Sequence, residues 1–214
     1  MRNACLCHNS GVTAVDAAHE GLRERKKART RRALQDAALD LFRHNGFEHT
    51  TVEQIAEACE VSPRTFFRYF ATKEEALFGD SGEKLATFVA ALEARPADEP
   101  PLRSLRAAAQ TLVTMQEGQR DRLKARKQVI AATPTLRARG AERQDEWNDA
   151  AVQILSRHRG GPAGTPAPLE IRLVVTASTA AIHAAVQTWL DEPSSDLAAL
   201  VDVAFDRLAA GFGA

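Results

Sequence analysis

The sequence predicts an all-α protein, a small N-terminal three-helix unit followed by a larger helical domain. Three observations predict it. Apolar residues recur at three- and four-residue steps from about residue 22 to the C-terminus. Helix-opening residues (Thr51, Ser62-Pro63, Thr72) and helix-closing ones (Asn45-Gly46, Gly118, Gly160) punctuate that pattern at helical lengths. No alternating β pattern of useful length interrupts it.

The elements follow in order. Residues 1–21 hold no sustained period and are expected to form a flexible arm. Ala33, Leu34, Ala37, Ala38, Leu41 and Phe42 then form one apolar stripe, ended by Asn45-Gly46. Thr51 with Gln54 has capping-box spacing, and Val52, Ile55 and Ala56 supply a buried side. Ser62 precedes a Pro that is tolerated at a first helical position. Thr72 with Glu75 repeats the capping box and opens a helix expected to run to about 95 through Leu77, Leu85, Phe88, Val89 and Leu92. Beyond the breaker cluster Pro96–Pro101, helices are expected at 102–117, 120–131, 134–158, 169–191 and 196–211. The organisation is thus an arm (1–21), a small three-helix domain (22–78) and a larger helical domain (79–214).

Composition excludes little by itself, since 28 Lys+Arg balance 28 Asp+Glu. Distribution is more informative. Arg23, Arg25, Lys26, Lys27, Arg29, Arg31 and Arg32 crowd one stretch against the single acid Glu24. Such a cluster suits a polyanion, because each cation near a phosphate releases condensed counterions; a solvated charged helix start is the competing reading. Three cysteines do not make a disulfide framework, and a reducing interior fits them. Cys5, Cys7 and His8 lack a second ligand pair, so no metal and no cofactor are expected. No signal peptide is apparent and nothing approaches a membrane span, which makes the expected location cytoplasmic.

The stretch Thr51–Glu75 carries the function. Two short helices flank a turn at Cys59–Val61, the dimensions of a helix-turn-helix. Ala56 sits where they would cross. Val61 and Phe70, with one or both of Phe66 and Phe67, are expected to face the interior. The other face of the second helix offers Arg64, Thr65, Arg68 and Tyr69. Arg64 and Thr65, at its N-terminal end, are expected to reach base edges. Arg68 suits a base or a phosphate, while Tyr69, Lys73 and the Thr51 hydroxyl suit phosphates. A solvated surface is the plain alternative for any one of them.

The segment resembles the TetR family of bacterial regulators over about residues 25–80. The carrying residues are T-V-x-x-I-A at 51–56, V-S-x-x-T at 61–65, F-x-x-F at 67–70 and Lys73. Two departures stand out. The turn has Glu60 where the family usually has Gly, which predicts a strained or altered turn. Phe67 stands where the family often has a Tyr that touches phosphate, and Tyr69 would replace that contact. The resemblance implies a homodimer joined through about 169–191 and 196–211, with Ala177, Ala180, Ala181, Ala184 and Ala185 permitting close approach and Trp189 as an anchor. Two heads on a twofold axis would read a palindromic operator in double-stranded DNA. It also implies release by a small apolar effector, with Phe88, Met115, Trp147 and His183 as candidate pocket residues, although ordinary core packing competes for each. The run from Pro134 through Arg137, Trp147 and Leu155 to Arg157 is similar to an actinobacterial subtype, some of whose members answer fatty acyl thioesters. A helical enzyme is the reading from another class, and the chain lacks a Gly-rich phosphate loop, H-E-x-x-H and G-x-S-x-G. A sequestering protein without DNA binding is the third.

Overall fold

The computed structural model describes residues 12–79, 81–116, 118–160 and 167–211, with side chains described from residue 23 onward. Its described residues form ten helices: α1 (Val12–Asn45), α2 (Val52–Ala58), α3 (Pro63–Tyr69), α4 (Lys73–Phe78), α5 (Ser81–Glu93), α6 (Pro101–Thr114), α7 (Arg120–Ala132), α8 (Pro134–His158), α9 (Leu169–Asp191) and α10 (Leu197–Ala210). The chain divides into two compact units, Met1–Leu77 and Phe78–Ala214.

Two expectations about element ends need correction. The helix preceding Gly46 begins at Val12, so the second half of the expected arm is helical. Between Gly11 and Gly46 the only breaker is Gly21, and a helix once nucleated propagates at small cost through an Ala-, Arg- and Lys-rich stretch. The expected helix from Thr72 to about 95 is two helices, broken after Phe78. Gly79, Asp80, Ser81 and Gly82 fall together there, and each is a poorer helix former than its neighbours. Cys5, Cys7 and His8 lie outside the described residues.

In the first unit, α1 buries Leu34, Ala38, Leu39 and Phe42, whereas Ala33 is exposed. The stripe is therefore rotated toward Leu39. Phe47, in the connection to α2, packs 5.0 Å from the Phe42 ring, centroid to centroid. Thr50 is buried and its hydroxyl donates to Gly46 O at 2.9 Å. That bond satisfies a carbonyl that the end of α1 would otherwise strand.

In the second unit, α9 packs against α10, α6, α8 and α7, and α5 against α6 and α8. The α5–α6 corner is clasped at its breaker loop. Arg95 presents Nε and Nη2 to the two Glu99 carboxylate oxygens at 2.8 and 2.5 Å, and the buried Ser104 hydroxyl donates to the same carboxylate at 2.7 Å. A two-pronged, three-donor site of this kind strongly favours the ionised acid. The Glu99 carboxyl is accordingly lowered to about 2, first through the Arg95 hydrogen bonds. Arg120 of α7 closes the other end of the bundle. Its guanidinium donates to the carbonyls of Glu192, Pro193 and Ser195 and lies 4.6 Å from the Trp189 ring centroid.

α9 was not expected to look like a membrane span, yet its length and composition would allow one, with a mean hydropathy of 1.4 over 18 residues. The reason is double use. Ile171, Val175, Ala185 and Trp189 serve the core, while Leu169 and Leu173 remain exposed on the outward side. Only 22% of that apolar stretch is buried.

Candidate nucleic-acid interface and ligand cavity

The α2–turn–α3 unit is built by local capping. The Thr51 side chain accepts from Gln54 N–H while the Gln54 side chain accepts from Thr51 N–H at 2.9 Å, the full capping box. Ser62 Oγ accepts from Thr65 N–H at 3.2 Å, and Pro63 occupies the first turn. Glu60 holds a φ of 56°, the only non-glycine residue among those described with a positive value. The turn thus keeps the left-handed shape that a glycine would adopt freely, and the strain expected of Glu60 is present.

Adjacent phenylalanines take opposite fates. Phe66 and Phe70 are buried with ring centroids 5.5 Å apart, whereas Phe67 is 53% exposed. Of the two open possibilities, only Phe66 faces inward. On a helix, residues at i, i+3 and i+4 share one side, so Arg64, Phe67 and Arg68 form a single exposed ridge. No carboxylate lies within ion-pair distance of Arg64 or Arg68 among the described residues, and the Arg68 guanidinium lies 5.2 Å from the Tyr69 ring centroid. Thr65 is half-buried and its hydroxyl is 3.0 Å from Ser62 Oγ, so part of its capacity is already used. Thr51 is exposed, and its hydroxyl accepts in the cap, which leaves its hydrogen to donate elsewhere.

Lys73 is placed differently from the rest. Its ammonium donates to Phe47 O at 2.7 Å and Thr50 O at 2.9 Å, with Glu48 O at 3.5 Å, and sits 4.3 Å from the Phe47 ring centroid. All three donors of the cation are thus turned into the α1–α2 connection. A lysine at the start of a helix is unfavourable toward the helix dipole, and these carbonyls are the compensation.

The basic stretch of α1 also divides. Arg23, Arg25, Lys26, Lys27, Arg29 and Arg32 are exposed. Arg31 is turned inward: Nη1 donates to Tyr69 O at 3.2 Å, and its guanidinium lies 4.7 Å from the Phe70 ring centroid. It fixes the C-terminal end of α3 to α1. Sequence reasoning counted it with the surface cations because nothing local distinguishes it from Arg29 or Arg32.

The second unit contains a cavity of about 260 Å³. Phe88, Trp147 and His183 line it, with Phe88 and Trp147 at 5.4 Å between centroids and tilted by 35°. Met115 is not among the lining residues; Leu112 and Gln116 line the wall instead. Met115 caps the C-terminus of α6, where the helix ends and the chain turns. Sequence reasoning missed Lys127, Asn148 and Ser178, which also line the space. Ser178, Thr179, Ile182, His183 and Val186 follow one helical row on α9, so the period from His183 was a usable signal. Lys127, one turn after Leu123, gave none beyond its spacing. Among the described residues, no group of three or more His, Cys, Asp or Glu is placed to hold a metal ion.

Comparison with known proteins accords with this arrangement. Residues 34–78 match the family described as bacterial regulatory proteins of the tetR family, and residues 99–213 match the MftR C-terminal domain. The chain is 37% identical to the HTH-type transcriptional regulator TcmR of Streptomyces glaucescens, over 87% of this chain and 84% of that protein. It is 29% identical to MftR of Mycobacterium tuberculosis over 90% and 96% of the two chains. Among solved structures, FadR of Thermus thermophilus, a TetR-family repressor crystallised with lauroyl-CoA, aligns at 25% identity and a TM-score of 0.54, covering 86% of this chain and 95% of that one. The all-helical fold, the helix-turn-helix and the expected actinobacterial kinship are borne out together. The chain therefore belongs to the TetR family: it is a DNA-binding transcriptional regulator with an MftR-type C-terminal domain, and not an enzyme.

Proposed function

We propose that the chain is an effector-responsive repressor that binds a palindromic operator as a homodimer in the cytoplasm. The observation that carries this reading is the exposed Arg64–Phe67–Arg68 ridge of α3, opened by a capped N-terminus and backed by buried Phe66 and Phe70. Arg64 and Thr65 read bases, Arg68 reads a base or a phosphate, and Thr51 and Tyr69 hold phosphates. Lys73, with its donors committed to three carbonyls, supports that face from behind.

The dimer forms through the outward faces of α9 and α10. Leu173, Ala180 and Ala184 of α9 and Val203 of α10 are exposed, and small side chains let paired helices approach closely. Trp189, considered above as an anchor for this interface, is buried within the subunit under Arg120. A second copy suits this surface because one seven-residue helix buries too little for specific binding, whereas two heads about 34–36 Å apart engage successive major grooves. The effector occupies the α5–α9 cavity and prefers one arrangement of the paired heads, which is the thermodynamic requirement for release. The FadR likeness makes acyl thioesters one class to try.

Gel shift with palindromic DNA from the gene's own upstream region tests the reading. Tight, salt-sensitive and sequence-dependent retardation is expected. Arg64→Ala should lose at least about 1 kcal/mol of discrimination at one base position. Binding that weakens evenly over all sequences would demote Arg64 to a phosphate contact. No retardation across a genomic library would overturn the regulator reading in favour of a sequestering protein.

A further inference from the structure

We infer that the cavity bounded by α5 to α9 takes a compact amphipathic organic anion, its carboxylate or phenolate oxygen held by Lys127 and its ring body set against Trp147 and Phe88. The inference rests on the effector reading above and names the chemistry of that effector.

The walls are apolar, from Phe88, Leu105, Leu112, Leu123, Val175 and Ile182, and the tilted Phe88–Trp147 pair provides an aromatic face. One edge is polar, and its charge has a single sign. Lys127 and His183 are the titratable groups there, and no Asp or Glu is among the lining residues. A ligand cation would meet no counter-charge and would be repelled by Lys127. An anion meets a half-buried ammonium that has no carboxylate within ion-pair distance among the described residues.

Charges beyond the lining are mixed, with Arg126 and Asp191 both acting on Lys127. Burial pushes the Lys127 ammonium down, Arg126 adds to that, and Asp191 opposes both without reversing the direction. A cation held in this way gains from a counter-ion that brings its own negative charge. His183 is also pushed down, first by burial and then by Lys127, which disfavours its charged form. Gln187, 3.3 Å from its Nε2, takes part of the ring's hydrogen-bonding capacity.

Ser178 supplies an independent observation. It is 1% exposed, lines the cavity, and its Oγ has no hydrogen-bond partner. A buried hydroxyl left unpaired is costly, and native proteins rarely leave one without a reason. A second oxygen on the ligand, a carbonyl or hydroxyl, completes it. Size argues for compactness, because 260 Å³ lies below the usual range of about 300–1,000 Å³ for ligand pockets. A fused two- or three-ring acid suits this space better than a long acyl chain.

The test uses the full chain with three matched probes, naphthoate, naphthamide and naphthylmethylammonium, and with lauroyl-CoA as the alternative anion. Calorimetry gives affinities, and operator retardation gives the response. Naphthoate is expected to bind at least about tenfold more tightly than the neutral amide, the scale of one hydrogen bond to a charged group. The ammonium probe should bind weakest. Lys127→Met should erase the acid–amide difference without weakening the amide, and Lys127→Arg should restore part of it. Equal affinity for acid and amide in the unaltered protein overturns the inference, whether or not the variants fold. Binding of lauroyl-CoA alone, unchanged by Lys127→Met, also overturns it but leaves the effector reading standing. Saturation by naphthoate without any operator release, under any probe, would leave the anion site standing and overturn the effector reading.

Discussion

Replacing Lys73 with Met removes the ammonium and keeps the apolar stem, so it isolates what the cation does. In the structure the charge meets two well-formed carbonyl contacts, Phe47 O at 2.7 Å and Thr50 O at 2.9 Å, and a looser one at Glu48 O. Hydrogen bonds involving a charged group contribute about 1.5–3 kcal/mol each, and the Phe47 ring adds about 0.5–1 kcal/mol. Lys73 is half-buried, so water re-solvates some of the carbonyls once the ammonium is gone. The net destabilisation of the first unit should therefore be about 2 kcal/mol, well under the roughly 3.5–7 kcal/mol that those contacts would sum to without re-solvation. Hydrogen exchange at residues 46–55 is the direct assay, because both tryptophans, Trp147 and Trp189, lie in the second unit and report on it instead. Operator affinity measured across a salt series supplies the second readout. A structural lysine leaves the salt slope intact, whereas a lost phosphate contact lowers it by about 0.9 per protomer. Unchanged exchange protection together with a reduced slope would refute the reasoning and return Lys73 to the DNA backbone.

Three further outcomes follow from the same coordinates. Glu60→Gly should stabilise the first unit by about 0.5–1 kcal/mol, since relief of a left-handed φ worth about 1–2 kcal/mol exceeds the added entropy of glycine in the unfolded chain; a lower midpoint in denaturant would show that the glutamate side chain compensates its own strain. Phe67→Tyr adds a hydroxyl on an exposed ring, so operator affinity should rise by about tenfold or more at fixed salt, the scale of one hydrogen bond to a charged phosphate; weaker binding would indicate that the ring seats against a thymine methyl. Glu99→Gln tests the α5–α6 clasp by its pH dependence. A carboxyl lowered from 4.5 to about 2 stabilises the fold fully above its unfolded value and loses that contribution as pH falls through about 2. The stability difference between the two proteins should be constant near neutrality and close between 4.5 and about 2, as followed by circular dichroism; a difference that persisted into strong acid would exclude the carboxylate as its source.

Thr51, Gln54, Ser62 and Pro63 act on backbone groups within four positions of themselves, and all perform the capping that their spacing implied. The same locality explains why helices expected at 120–131, 134–158 and 169–191 are found at 120–132, 134–158 and 169–191. Phe66 and Phe67 are a different matter. Neighbours on a helix differ by about 100° in direction, and only the position of α1 beneath α3 selects the first for the interior. Arg31 and Lys73 were indistinguishable from phosphate-binding cations until distant carbonyls, Tyr69 O and Phe47 O, came within reach.

Taken alone, the order of amino acids determined the helical class, the capped openings of α2 and α3, the family, and the exposure of Arg64 and Arg68 on α3. Each of these depends on interactions spanning a few positions along the backbone. Tertiary structure decided which cations face solvent and which hold the scaffold, and which of the lining candidates meet. Met115 is excluded from the cavity while Lys127 and Ser178 enter it. Those outcomes depend on contacts between residues tens of positions apart, where direction and burial are set by packing partners that no local pattern encodes.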